Sequence, residues 1–357
     1  MMKDFFVSAP AQYFSKDQIN AVKGILILSV MVGHLRSLAG VNLDIFQFVY
    51  NFHVICFLLL PFIYPVKQVN KAQILTWVWR FFVPFSVFFI AYGALNALFL
   101  GADYNMADIF KGYFVATPDM IDMVTGSKIL WFLPHIFLVF VVFSLVMTKC
   151  QSFAMVLSVA FLCHIFAGFI DRQTSSYIPF TGINLLYLFF LGCVLRMIVL
   201  GLKESGKKYA LLFFTLFLVI QFISIYTGNV LGYTGMYLFD ITSPAKLFLC
   251  DALIISAMLF LLYSDFLSKM KFLNWIGQHS LIIFLVHQPF LFIAWKTMER
   301  VWGQAGSLTD ILIYGAVSFS VSLILSVICV LFFKRYQKIN TLIFPRSFDE
   351  WKQVFTK

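Results

Sequence analysis

The stretch Asn20-Ala21-Val22-Lys23-Gly24-Ile25-Leu26-Ile27-Leu28-Ser29-Val30-Met31-Val32-Gly33-His34 opens an apolar run over residues 22–39 that is long enough to cross a bilayer core. Within the quoted stretch the only ionisable residues are Lys23 and His34, eleven residues apart. On an α-helix that separation is three turns plus about 20°, with a rise of about 16 Å, so both side chains project from one face. Asn20 lies near the same stripe.

Similar runs recur along the chain near 45–66, 78–100, 129–148, 152–171, 181–200, 209–227, 245–264, 280–297 and 311–333. The 357 residues are 61% hydrophobic and 12% charged, with a mean hydropathy of +0.91. Soluble domains carry about 25% charged residues, so the composition describes a polytopic membrane protein. Ten spans of about 20 residues use roughly 200 positions and leave no length for a separate soluble enzyme domain. The expected fold is all-α, a polytopic membrane helix bundle of about ten transmembrane helices over 1–340, followed by a cytoplasmic tail over 341–357. The second run is expected to be interrupted by Pro61 and Pro65, and the polar segment 101–128 to form a loop or lid. No removable signal peptide is evident at the N-terminus.

The net charge of +10 has several readings until each base is placed on a side. With the N-terminus inside, nineteen of the 26 Lys and Arg fall on inner segments, including Lys3, Lys16, Lys23, Lys67, Lys71, Arg80, Arg196 and Lys357. Seven, among them Arg36, Lys128, Arg172 and Lys246, fall on outer ones. That asymmetry predicts an even number of spans with both termini cytoplasmic, and it accounts for the charge without nucleic acid. Lys334, Arg335 and Lys338 read as a stop next to anionic membrane lipid. The six cysteines form no Cys-x-x-Cys pair, so neither a disulfide framework nor a zinc site is indicated.

Ionisable groups inside spans are costly and therefore functional candidates. His34 and His53 are expected at similar depth in antiparallel neighbours, with His135, His164 and His287 in later spans. Neutral imidazole tolerates apolar surroundings and can accept a proton from a hydroxyl. Each histidine alone is equally read as a hydrogen bond between helices. No metal is expected, because the histidines lie on separate helices without short ligand spacing. Lys23 and Arg80 border apolar runs where they could hold an anionic, phosphate-bearing ligand. Asp251 is either half of an ion pair with Lys246 or part of a proton path. Phosphate loops, nucleophile elbows and dinucleotide fingerprints are absent from the sequence.

These residues resemble the membrane-bound acyltransferase 3 family. Its opening signature, Asp-x-x-(Arg/Lys)-Gly followed by an apolar helix ending in Gly-His, stands here as Asn20-Ala21-Val22-Lys23-Gly24 through Val32-Gly33-His34, with asparagine in place of aspartate. Further blocks match Phe52-His53-Val54-Ile55-Cys56-Phe57, Arg80 to Pro84, Trp131-Phe132-Leu133 and Ser280 to His287, although Leu60-Pro61 replaces the Ser-Gly pair that often closes the second. The resemblance implies a ten-helix core that acylates sugars of bacterial surface glycans from the inner membrane. It implies that Lys23 helps to hold an acyl-CoA co-substrate, that His34 is the catalytic base and that His53 lines the acceptor side; with acetyl-CoA as the expected donor, Arg80 is expected to join Lys23 on its phosphates and Lys23 to assist His34. Trp131, His135 and His287 are expected to line the acceptor side with His53. No tightly bound cofactor is expected, and the partners are acyl-CoA, a glycan or lipid-linked sugar, and membrane lipid.

Two functions follow. An O-acetyltransferase modifying polysaccharide would use His34 as a general base. A non-enzymatic transporter or flippase of lipid-linked sugars would instead use the histidines as proton relays. A membrane scaffold gives no reason for histidines at matched depth.

Overall fold

The computed structural model describes residues 9–39, 44–101, 103–150, 152–167, 179–180, 185–228 and 244–356. Lys3, Arg172 and Lys357 of the charge count, and parts of the connections flanking the sixth and eighth runs, lie outside these residues. Among the described residues the structure is helical, without strands. In chain order the helices are α1 (Lys16–Ala39), α2 (Asp44–Tyr50), α3 (His53–Ile63), α4 (Lys71–Leu100) and α5 (Pro118–Thr125). They continue as α6 (Phe132–Lys149), α7 (Phe153–Ala167), α8 (Leu185–Leu202), α9 (Ala210–Tyr226) and α10 (Pro244–Tyr263). The chain ends with α11 (Lys271–Gln278), α12 (Ser280–Trp302), α13 (Leu308–Arg335), α14 (Gln337–Ile343) and α15 (Phe348–Thr356).

Among the described residues, eight segments are long and apolar enough to cross a membrane. One of them, Leu185–Tyr226, contains both α8 and α9, joined by the 3₁₀ segment Lys203–Tyr209, and a shorter apolar helix covers Phe153–His164. Burial sorts these segments into centre and rim. Asp44–Ile63 is 72% buried, whereas Leu308–Arg335 is only 22% buried and displays Ile324, Ile328 and Leu331 outward. Helix α1 is central, packing on α2, α3, α10, α11, α12 and α13.

Two expectations are corrected. The second run does not break at Pro61, which α3 passes through; α3 ends at Ile63, with an extended Tyr64 before Pro65. The run breaks at Asn51-Phe52, where the Asn51 side chain turns to α9 and donates to Gln221 (2.7 Å) and Ser224 (2.8 Å). That buried pairing satisfies polar groups that would otherwise be costly in an apolar interior. The segment 101–128 is not a loop but folds into a short turn of helix, a π-helical turn (Lys111–Val115) and α5. An Asn105–Asp108 capping box starts it, Pro118 opens α5, and left-handed Gly126 (φ 63°) ends α5. Asn96 and Tyr104 tie it to α4 through Val124 and Gly93 carbonyls.

Arg196, counted with the inner connections, is instead fully buried in α8. Its Nη1 donates to the carbonyls of Phe62 (2.8 Å) and Tyr64 (3.1 Å), which the end of α3 leaves without helical partners. Replacing Arg196 with leucine is expected to destabilise the fold by about 3 kcal/mol, the cost of orphaning buried carbonyls that accept from a charged donor. The thermal unfolding midpoint in detergent checks this, and an unchanged midpoint would contradict it.

Candidate active site

Asn20, Lys23, Val30 and His34 lie along one stripe of α1, and this stripe forms a wall of a cavity of about 1360 Å³. Helix α12 supplies the facing stripe of Ser280, Phe284 and Gln288, spaced four residues apart. Tyr50, His53, Val54 and Phe57 come from α2 and α3, Arg80 from α4, and Trp131, Phe132 and Ile136 from the start of α6 and the turn before it. The expected common face of Lys23 and His34 is thus realised around one space.

The close fit around that space depends on glycine. A Cβ on Gly277 would strike the carbonyl oxygen of Asn20, and one on Gly24 the carbonyl oxygen of Leu273. The absence of side chains at both positions lets α11 lie directly on α1 beside Lys23. Gly33 plays a milder role: a Cβ there would meet the Tyr50 ring at 3.4 Å and His53 at 3.5 Å, so the residue before His34 makes room for the second histidine.

Three histidines gather at this level. The His34 and His287 rings stand 5.3 Å apart, and Tyr50 meets His53 edge to face at 5.2 Å. His53 Nδ1 lies 2.5 Å from the Val49 carbonyl, which also accepts from the Phe52 N–H at the break between α2 and α3. His287 Nδ1 faces the carbonyls of Phe284 (2.8 Å) and Ile283 (3.1 Å). A carbonyl only accepts, so in both rings Nδ1 carries the proton and Nε2 presents a lone pair. The backbone around His287 is fixed as well. Pro289 has no N–H for the Leu285 carbonyl, and the Tyr92 hydroxyl donates to it instead at 2.8 Å. Ser322 of α13 donates to the His287 carbonyl at 2.7 Å.

One end of the cavity is basic. Lys16, Lys23, Lys67, Arg80, Lys334 and Arg346 line it, and Arg80 and Lys16 stand close enough to Lys23 for mutual repulsion. The other end lies further along α4, near Asn96, about 24 Å from Arg80 by helical rise. There Ser127 donates to Gln288 at 2.5 Å, and Lys128 pairs with Asp119 at 2.8 Å. Burial raises the Asp122 carboxyl above its usual range, opposed by Lys128 at 3.9 Å.

The other residues singled out from the sequence are placed as follows. Trp131 lines the cavity, and His135 is fully buried behind it, with rings 5.4 Å apart and Nδ1 at 3.0 Å from the Phe180 carbonyl. His287 stands behind His34. His164 is directed elsewhere, with Nε2 3.2 Å from Asp251 and its ring stacked on Phe190 at 3.9 Å. Asp251 therefore pairs with a histidine of α7. Among the described residues, no group of three or more His, Cys, Asp or Glu is placed to hold a metal. Tyr50, Gln288, Lys334 and Arg346 were not singled out from the sequence as lining residues. A tyrosine, a glutamine and cations near a chain end carry no spacing signal of their own.

Bundle and cavity together define a polytopic membrane protein whose interior joins a basic mouth to a histidine cluster. A family model described as an acyltransferase domain matches residues 16–329. The chain belongs to this acyltransferase 3 family, which makes it a membrane acyltransferase. Comparison with curated proteins and with solved structures finds no match.

Proposed function

We propose that this acyltransferase is an O-acetyltransferase of the bacterial cytoplasmic membrane, moving acetyl from acetyl-CoA to a hydroxyl of a cell-surface or lipid-linked glycan. The observation that carries this reading is the continuity of one cavity from the six bases at one mouth to His34 and His53. The phosphates of the donor sit against Lys23 and Arg80 on the cytoplasmic side, and the pantetheine arm extends along the α1 stripe. His34 removes the proton from the sugar hydroxyl as its oxygen attacks the thioester carbonyl. The tetrahedral intermediate then expels the CoA thiolate, which takes the proton back from the imidazolium. His53, Trp131, His135 and His287 shape the acceptor side, with the His53 and His287 tautomers set by their carbonyl partners.

Calorimetry of the purified protein with acetyl-CoA tests the donor assignment. Saturable binding is expected, weakened about tenfold or more by Lys23→Ala, because a charge-assisted contact to phosphate is lost. Absence of binding at saturating donor would overturn it. Mass spectrometry of surface polysaccharide from cells with and without the gene tests the acceptor, with loss of one acetyl unit as the expected change.

A further inference from the structure

The family match ends at residue 329, but the chain continues along the basic mouth of the cavity. Lys334 at the end of α13, Asn340 of α14, and Phe344, Pro345 and Arg346 in the turn before α15 all line it. This segment is fastened by aromatic packing. Phe344 contacts Phe88 (6.1 Å) and Phe333 (5.2 Å), while Phe348 and Trp351 of α15 pack with tilted rings against Trp79 of α4 at 5.0 and 4.9 Å. The backbone N–H of Arg346 donates to Glu350 at 2.7 Å and fixes the turn.

That fastening has an electrostatic cost. It brings Arg346 within repulsive reach of Arg80, which is itself within repulsive reach of Lys23. Among the described lining residues the only acid is Asp122, which faces Lys128 at the far end. Like charges assembled by unrelated apolar contacts, with no acid among the described residues that line this end, form a site that a multiply charged anion would relieve. Guanidinium groups match phosphate oxygens two at a time, and a phosphate monoester carries about −1.5 to −2 charges at neutral pH.

We propose that the C-terminal segment is a strap that completes the donor site, with Arg346 and Lys334 joining Arg80 and Lys23 to bind the phosphates of the CoA moiety. This rests on the acyl-CoA reading of the same cavity. The strap presents its cations from a turn and keeps its aromatic residues for anchorage, so binding and anchoring are separable.

The test uses the full chain in nanodiscs of phosphatidylcholine, with adenosine 3′,5′-bisphosphate as a probe for the phosphate-bearing end of CoA. Arg346→Ala is expected to weaken binding of the probe about tenfold, and Arg346→Lys less. Trp351→Ala removes no charge but unfastens the strap, so it is expected to weaken the probe as well. Equal affinities in native protein and all three variants would overturn the strap while leaving the donor reading intact. An Arg346 effect seen only when phosphatidylglycerol is added would assign the cation to lipid and also overturn it. Failure of the native protein to bind acetyl-CoA at all would instead overturn the donor reading.

Discussion

Replacing His34 with alanine is expected to lower acyl transfer by about 10² to 10⁴-fold, the usual contribution of a positioned general base. The side chain lines the cavity at the level of His53 and His287, well along α1 from the basic mouth. Its removal leaves the donor contacts at Lys23 and Arg80 in place, so acetyl-CoA affinity measured by calorimetry is expected to change less than twofold. The variant separates chemistry from binding, which is the distinction that a kcat effect without a binding effect reports. Labelled acetyl transfer and donor titration on the same folded preparation make the check. Full activity in His34→Ala would remove this histidine from the mechanism. Lost donor binding would mean that His34 organises the cavity and does not act on the hydroxyl.

Much of this arrangement could be read from one helix. The spacing of Lys23 and His34 needs only helical geometry, because both residues sit on a single rigid element whose period is known. The same reasoning places His53 near His34, since α2 and α3 return directly alongside α1. Reading weakens where a feature depends on a partner distant in sequence. The break at Asn51 is set by Gln221 and Ser224 of α9, while Pro61 in the same run leaves α3 unbroken. Arg196 has the composition of a loop charge, and only the approach of the α3 terminus turns it into a buried donor. Arg346 lies in a stretch whose polarity suggests a tail. Its place at the mouth follows from Trp79 and Phe88, which otherwise read as ordinary aromatic residues of a span.

A valine at Gly277 is expected to cost about 3 kcal/mol or more, the upper part of the range for overpacking. It is also expected to abolish transfer in whatever protein remains folded. The Cβ would fall on the Asn20 carbonyl oxygen, 2.6 Å from its carbon and 2.7 Å from the Gly24 nitrogen, so it meets backbone that no rotamer change can clear. Relief requires α11 to lift from α1. Gly277, Gln278, His279 and Ser280 all line the cavity, so that movement opens the wall beside Lys23. Gly201 offers the contrast. It lies near the end of α8 with nothing within 4 Å of an added Cβ, and alanine there is expected to be neutral or to stabilise by up to about 1 kcal/mol through helix propensity. Thermal unfolding and acyl transfer measured on Gly277→Val, Gly277→Ala and Gly201→Ala give the comparison. Even alanine at 277 should behave as a severe lesion, because the clash begins at Cβ. If Gly277→Ala unfolds at the native temperature and retains native transfer, α11 and α1 are not in backbone contact, and the wall that places Lys23 beside the donor is built differently.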